Sequence, residues 1–249
     1  MSSISSEYSV GKFTPTTRPV HAANRLLTSF THKDRQHFIA GCEQVELVLG
    51  HTLSEPGEVM RYVYFPTGGF ISMIMPIAGG AKLEVGLIGD EGMFGIPLVL
   101  GINISPLQAL VQGAGSALRM DAALFIQELE QTPALLKKMH RYIYVSMSQL
   151  AQTAACNRFH LVEQRLARWL LMTQRRAHSD TFHITQDFLA QMLGVRRVGV
   201  TKAAGALQKR ELISYSRGSL HILDMAGLEA ASCSCFRADK DTYTRILSG

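Results

Sequence analysis

Two adjacent arginines, Arg196 and Arg197, follow Gly194 by two residues and lead into Val198, Gly199, Thr201 and Lys202. These residue types can read nucleic acid. A guanidinium fork grips guanine at two atoms, and a lysine ammonium reaches a base edge or a phosphate. A valine touches a thymine methyl but accepts nothing from cytosine. Gly199 and Thr201 are small enough to let a helix lie deep in a groove. Upstream stand Thr185 and Gln186. A threonine that caps a helix leaves backbone amides facing a phosphate. Downstream, Arg217-Gly218 can form a tip that touches the sugar-phosphate backbone. In such a set, phosphate contacts position the protein and only base-edge contacts specify sequence.

The elements that must hold these residues follow from local spacing. Thr185 to Gly194 reads as a short amphipathic helix closed by glycine, and Arg197 to Leu207 as a second helix. Ala190, Leu193 and Val200 are apolar where the two must pack, and Gly194 permits the tight turn. Leu212 to Leu223 holds two alternating runs around Arg217-Gly218. Helix, turn, helix and hairpin outline a winged helix-turn-helix, which places its second helix in the DNA major groove. Charge sits in the same place. Asn157 to Arg217 carries eleven Lys/Arg against four Asp/Glu, whereas the segments on either side are each net −1, within a chain of +5. A local basic excess is the footprint of phosphate binding.

The remainder predicts an α+β protein. The apolar fraction of 47% and charged fraction of 18% are those of a globular chain of 249 residues. Residues 1–20 read as a flexible arm and not a signal peptide. Residues 21–132 open with one or two short helices. Short alternating runs with Gly and Pro punctuation follow (Val59–Phe65, Phe70–Met75, Leu83–Ile88, Leu110-Val111, Ala117–Met120), predicting an antiparallel β-roll, jelly-roll-like. Asp121 caps a helix over Ala122–Glu130. Residues 133–157 form a helix of about twenty residues, begun by Thr132-Pro133, with Leu136, Met139, Ile143, Met147 and Leu150 on one stripe. One face can pack on the roll and another seal a dimer. Residues 158–228 hold the reading module; its first helix, Leu161–Thr173, buries Trp169 and turns Arg165, Arg168 and Arg175 outward. Met225 to Cys233 reads as a short terminal helix, and residues 229–249 as a C-terminal tail whose last residues are polar and frayed.

Other chemistry is sparse. Four cysteines make no disulfide scaffold, so a reducing cytoplasm is the expected compartment. Cys233-Ser-Cys235 lacks an accompanying Cys/His cluster at zinc spacing and reads as a chance pair, so no metal is assigned. Cys42 and Cys156 read as small buried residues, His183 and His221 as structural, and Asp90-Glu91 as a solvated turn. No nucleophile elbow, phosphate loop or apolar run long enough for a membrane span is present. Two other readings stay open: a small-molecule-binding signalling module whose helical part contacts protein, and, more remotely, an enzyme.

Residues 182–224 resemble the DNA-binding domain of the Crp/Fnr family of bacterial transcription regulators. The match is carried by Ile184-Thr185, Leu189-Ala190-Gln191, Leu193-Gly194-Val195, Arg197, Val200, Leu207, Leu212-Ile213 and Ile222-Leu223-Asp224. The order of roll, long helix and reading module fits the same family. The resemblance implies a cyclic-nucleotide-binding-like sensor roll, a homodimer, and a two-fold promoter or operator site in double-stranded DNA, with RNA polymerase as a further candidate partner. It places Arg197 and Lys202 at base-reading positions and Thr185 and Gln186 at phosphate. The family's usual serine before and glutamate after the arginine are here Arg196 and Val198, so its usual half-site is not expected. The family's cyclic-nucleotide sensors hold ribose with a glutamate and phosphate with an arginine. Here those stretches are Phe94-Gly95-Ile96-Pro97 and Ser105-Pro106-Leu107-Gln108-Ala109. A cyclic phosphate there would lie uncompensated, so cAMP is not expected as cofactor and the effector is unassigned.

Overall fold

The computed structural model describes residues 23–247; the expected arm over 1–20 lies outside them. Helices α1 (Arg25–Thr28) and α2 (His32–Ala40) lead into strands β1 (Glu43–Leu47), β2 (Thr52–Ser54), β3 (Tyr62–Pro76) and β4 (Lys82–Ile88). A short helix α3 (Ile96–Val99) precedes β5 (Gln108–Asp121). Helices α4 (Ala122–Gln131), α5 (Pro133–Phe159) and α6 (Val162–Ala177) follow. Then come β6 (Thr181–His183), α7 (Gln186–Leu193), α8 (Arg197–Lys209), β7 (Ile213–Ser216) and β8 (Ser219–Ile222). The last two elements are α9 (Met225–Ala231) and α10 (Cys235–Leu247).

The roll is one antiparallel sheet in the order β1-β5-β3-β4, with β2 also on β5. Its two long strands differ from the shorter runs expected. Gly68-Gly69 does not end a strand; it forms a bulge inside β3, where the register against β5 shifts at Pro66/Gly68 and again by Phe70. Gly69 has φ 72, and a Cβ there would lie 2.2 Å from the Gly113 carbonyl oxygen. Only glycine allows the two backbones to cross so closely, and the bulge bends both strands around the core. That core gathers Phe38, Phe65, Phe125 and Met120 with Met139 and Tyr142 of α5.

Asp121 caps α4 through its Oδ1, 2.8 Å from the Ala123 amide. Helix α5 is longer than expected. Asn157-Arg158-Phe159 contains neither Gly nor Pro, and the helix runs through it to an extended His160. Leu135, Met139, Tyr142 and Val145 are buried against the roll, while Tyr144, Met147 and Leu150 are exposed. A second core of Leu166, Trp169, Leu170, Leu189, Val200, Leu207, Ile213 and Leu220 holds the C-terminal half. The segment read as a frayed tail is instead the thirteen-residue helix α10, packed along α5. Phe236, Tyr243, Ile246 and Leu247 recur at helical spacing, and Leu247 reaches the first core.

Candidate nucleic-acid interface

The helix pair forms where spacing placed it. Thr185 is the N-cap of α7, and its hydroxyl oxygen accepts the Phe188 amide at 3.1 Å. Such a cap contributes about 1 kcal/mol. Gly194 closes α7 with φ 61, a left-handed conformation in which a side chain is strained. Arg196 is extended and immediately precedes α8. Val200, Ala203, Ala204 and Leu207 line the buried side of α8. The opposite side carries Arg196, Arg197, Val198, Thr201 and Lys202, all exposed.

Two contacts prearrange this face. The Thr201 hydroxyl donates to Gln186 Oε1 at 2.7 Å, joining α8 to the first turn of α7. Arg197 lies 3.6 Å from Asp187, both about two-thirds exposed. A pair so solvated holds the guanidinium by under about 1 kcal/mol, so it orients Arg197 without locking it. A Cβ on Gly199 would meet only Val195 at 3.9 Å. Its smallness is therefore not required by packing within the chain, and leaves the helix surface low on the solvent side.

The wing is a three-stranded sheet, β6-β8-β7. Arg217 and Gly218 have φ 49 and 82, the two positive values of a tight hairpin whose twist matches its strands. Arg217 is exposed at the tip. The Tyr215 hydroxyl donates to the Ile184 carbonyl at 2.8 Å and fixes the wing beside the start of α7. The structure thus brings Thr185, Gln186, Arg196, Arg197, Val198, Gly199, Thr201 and Lys202 onto one surface, with Arg217 on the adjoining wing. His183 and His221 lie on β6 and β8, and the His221 ring contacts the Thr181 hydroxyl at 2.9 Å.

Other readings require correction. Arg165 and Arg168 do not face outward; both are buried where α6 meets the end of α5. Arg165 donates to Asn157 at 2.7 Å and to the Leu193 carbonyl, the end of α7. Arg168 donates to Asp239 of α10 at 2.6 Å. Asp90 and Glu91 are not a solvated turn: both are buried, with Glu91 accepting Arg176 Nε at 2.8 Å and Asp90 facing Arg25 at 3.2 Å. Trp169 anchors the second core, but its Nε1 also donates to buried Glu84 of β4 at 2.8 Å. Burial pushes the Glu84 carboxyl up to about 7, against the hydrogen bonds from Ser72 and Trp169 and the charge of Arg176. Finally, Cys233 and Cys235 are not alone. Cys156, His160, Cys233 and Cys235 converge, with one candidate ligand atom from each within 4.8 Å of the others. The helical spacing of Cys156 and His160 was the available signal; their distance along the chain from Cys233 concealed it.

Among the described residues, no helix is long and apolar enough to cross a membrane. Residues 164–231 match the Crp-like helix-turn-helix domain. By sequence alone, no curated protein matches the chain. Solved structures do match. FixK2 from Bradyrhizobium japonicum is 13% identical with TM-score 0.65, over 77% of this chain and 98% of that one. The c-di-GMP-responsive global regulator CLP of Xanthomonas campestris is 15% identical with TM-score 0.64, over 78% and 100%. A CRP/FNR-family transcriptional regulator from Thermus thermophilus, TTHA1359, is 20% identical with TM-score 0.63, over 76% and 98%. At these identities the likeness is one of fold, and the reading module is matched by its own domain family. Residues 164–231 thus carry a Crp-like helix-turn-helix domain, behind a β-roll and long helix that share the fold of Crp/Fnr-type transcription regulators.

Proposed function

We propose that the chain acts as a homodimer that reads a two-fold operator in double-stranded DNA, with one α8 in each of two major grooves. The exposed face of α8 carries this reading, because it presents two arginines, a valine, a hydroxyl and a lysine on one buried-backed helix. Arg197 and Lys202 reach base edges. Thr185, Gln186 and the Arg217 wing tip hold phosphates, and Val198 favours a thymine methyl over cytosine. Two-fold pairing sets the half-site centres about 34 Å apart. Tyr144, Met147 and Leu150 form an exposed apolar stripe on α5, which supports α5 as the pairing helix. Occupancy of the operator then recruits or blocks RNA polymerase.

Whether it senses a ligand or only holds the dimer, the roll lacks the means to hold a cyclic phosphate. From Gly92 to Leu118 no side chain is charged, so α3 and the first part of β5 offer no cation to compensate one. A ligand, if the roll takes one, shifts the head through α5 and the buried Glu84–Trp169 and Glu91–Arg176 contacts. Selection from random duplex DNA by the purified protein without added ligand tests the reading. A recovered two-fold sequence with half-sites one turn apart supports it. Recovery of no sequence, or binding insensitive to salt, overturns it.

A further inference from the structure

Three buried cysteines, Cys156, Cys233 and Cys235, pack with one another and into neither apolar core. Cys156 lies in the last turn of α5 and His160 one turn on, just past its end, so both project on one face. Cys233 and Cys235 come from the corner between α9 and α10. Cys156 Sγ lies 3.5 Å from Cys233 Sγ, and Cys235 Sγ lies 3.4 Å from His160 Nδ1. Zinc–sulfur and zinc–nitrogen bonds of about 2.3 and 2.0 Å put tetrahedral ligands about 3.5–3.8 Å apart. These two spacings are close to those of ligands around a single ion, and all four ligand atoms lie within 4.8 Å of one another. In a 4Fe–4S cluster each cysteine sits on its own iron and the ligands stand farther apart.

The surrounding charge points the same way. Arg165 is buried, and among the described residues its charged head meets Asn157 and the neutral Leu193 carbonyl. Arg168 has the carboxylate of Asp239. The Nε atoms of both arginines are buried without a hydrogen-bond partner. One buried positive charge is thus left over beside the thiols, which is costly unless an anion stands there. A zinc ion with three thiolates and a neutral imidazole carries a net −1 and supplies that anion. Gln152 Nε2 already donates to Cys235 Sγ at 3.0 Å, as an outer partner to a thiolate does.

We propose that Cys156, His160, Cys233 and Cys235 bind one zinc ion, which fastens the end of α5 to the α9–α10 corner. Binding releases the three thiol protons to solvent and leaves three thiolates and Nδ1 on the metal. Through Arg165 and Arg168 the centre braces α6 and the end of α7, and so the orientation of the reading head. Metal occupancy does not require DNA, so this inference and the DNA-reading proposal stand or fall separately.

Metal analysis of the full chain, purified under reducing conditions and loaded with zinc chloride, is the test. The expected result is about one zinc per chain after gel filtration. Cobalt substitution should give the intense visible absorption of a tetrahedral thiolate site. The Cys233→Ser/Cys235→Ser variant should bind zinc at least tenfold more weakly, and Cys42→Ser should bind as the parent does. The proposal is overturned if the parent holds no stoichiometric metal. It is equally overturned by a Cys156–Cys233 disulfide in the reduced preparation, by iron with acid-labile sulfide, or by full zinc in the double variant. The measurement on the parent decides even if a variant fails to fold.

Discussion

The reading head and the junction that holds it to the roll are built on opposite plans. In the head, the side-chain contacts that shape the α7–α8 face are short-range. Thr185 caps its own helix, Gln186 meets Thr201 fifteen residues on, and Arg197 meets Asp187. Arg196, Arg197, Thr201 and Lys202 are exposed and only weakly held. At the junction, Glu84 meets Trp169, Glu91 meets Arg176, and Tyr243 donates its hydroxyl to the Glu91 carbonyl at 2.8 Å. Glu84, Trp169, Glu91 and Arg176 are buried and Tyr243 is half-buried, and these contacts join residues 85 or more apart in the chain. The difference teaches where function and stability are stored. The head spends little interaction energy on itself, whereas the junction satisfies buried charge that would otherwise oppose folding.

That contrast can be broken at the junction first, where effects are largest. Arg176→Ala leaves the Glu91 carboxylate buried without its main partner and should cost about 3–5 kcal/mol in denaturant unfolding. A loss under 1 kcal/mol would mean that the ion pair is solvated.

Glu84 gives a pH signature. Its carboxyl is held up to about 7 in the folded chain against an ordinary 4.5, first by burial. The folded state therefore binds more protons than the unfolded state between those values. Stability from this group is fullest below about pH 4.5 and falls as pH rises through about 7, by on the order of 3 kcal/mol. Glu84→Gln should remove that slope relative to the parent, measured by unfolding across the same range. An unchanged slope would place the titration elsewhere.

The α5 stripe sharpens the comparison from outside the junction. Met147→Glu with Leu150→Glu should turn a dimer into a monomer in sedimentation while leaving the fold, read by circular dichroism, intact. A dimer that persists would move the pairing surface off α5. The smallest effect belongs to the head. Thr185→Ala should lower stability by only about 1 kcal/mol, with a larger loss of DNA affinity if the cap also faces phosphate.

The same contrast explains what could be read from sequence. The cap at Thr185, the glycine at 194, the Arg217-Gly218 tip and the small residues of α8 announce themselves within a few positions, so the head was legible almost residue by residue. The roll was legible as a class, but Gly68-Gly69 carries the same signal for a turn and for a bulge, and only the partner strand decides. Arg165, Arg168, Asp90 and Glu91 look like surface charges because their partners lie far along the chain. Helix α10 was hidden differently. Its apolar residues recur at helical spacing, yet polar residues dominate between them, since only one narrow face meets α5. The Cys/His cluster depends on both α10 and the unbroken end of α5, so missing those two elements concealed it as well.

The central claim is that the exposed face of α8 reads DNA. The most direct measurement is the affinity of the parent and of the Arg197→Ala/Lys202→Ala variant for the selected duplex and for a scrambled one, over a salt series. Each base-reading contact is worth about 1–3 kcal/mol. The account therefore predicts that the variant loses at least about tenfold in affinity for the selected site, and most of its preference over the scrambled duplex. A variant that binds as tightly and as selectively as the parent would contradict it.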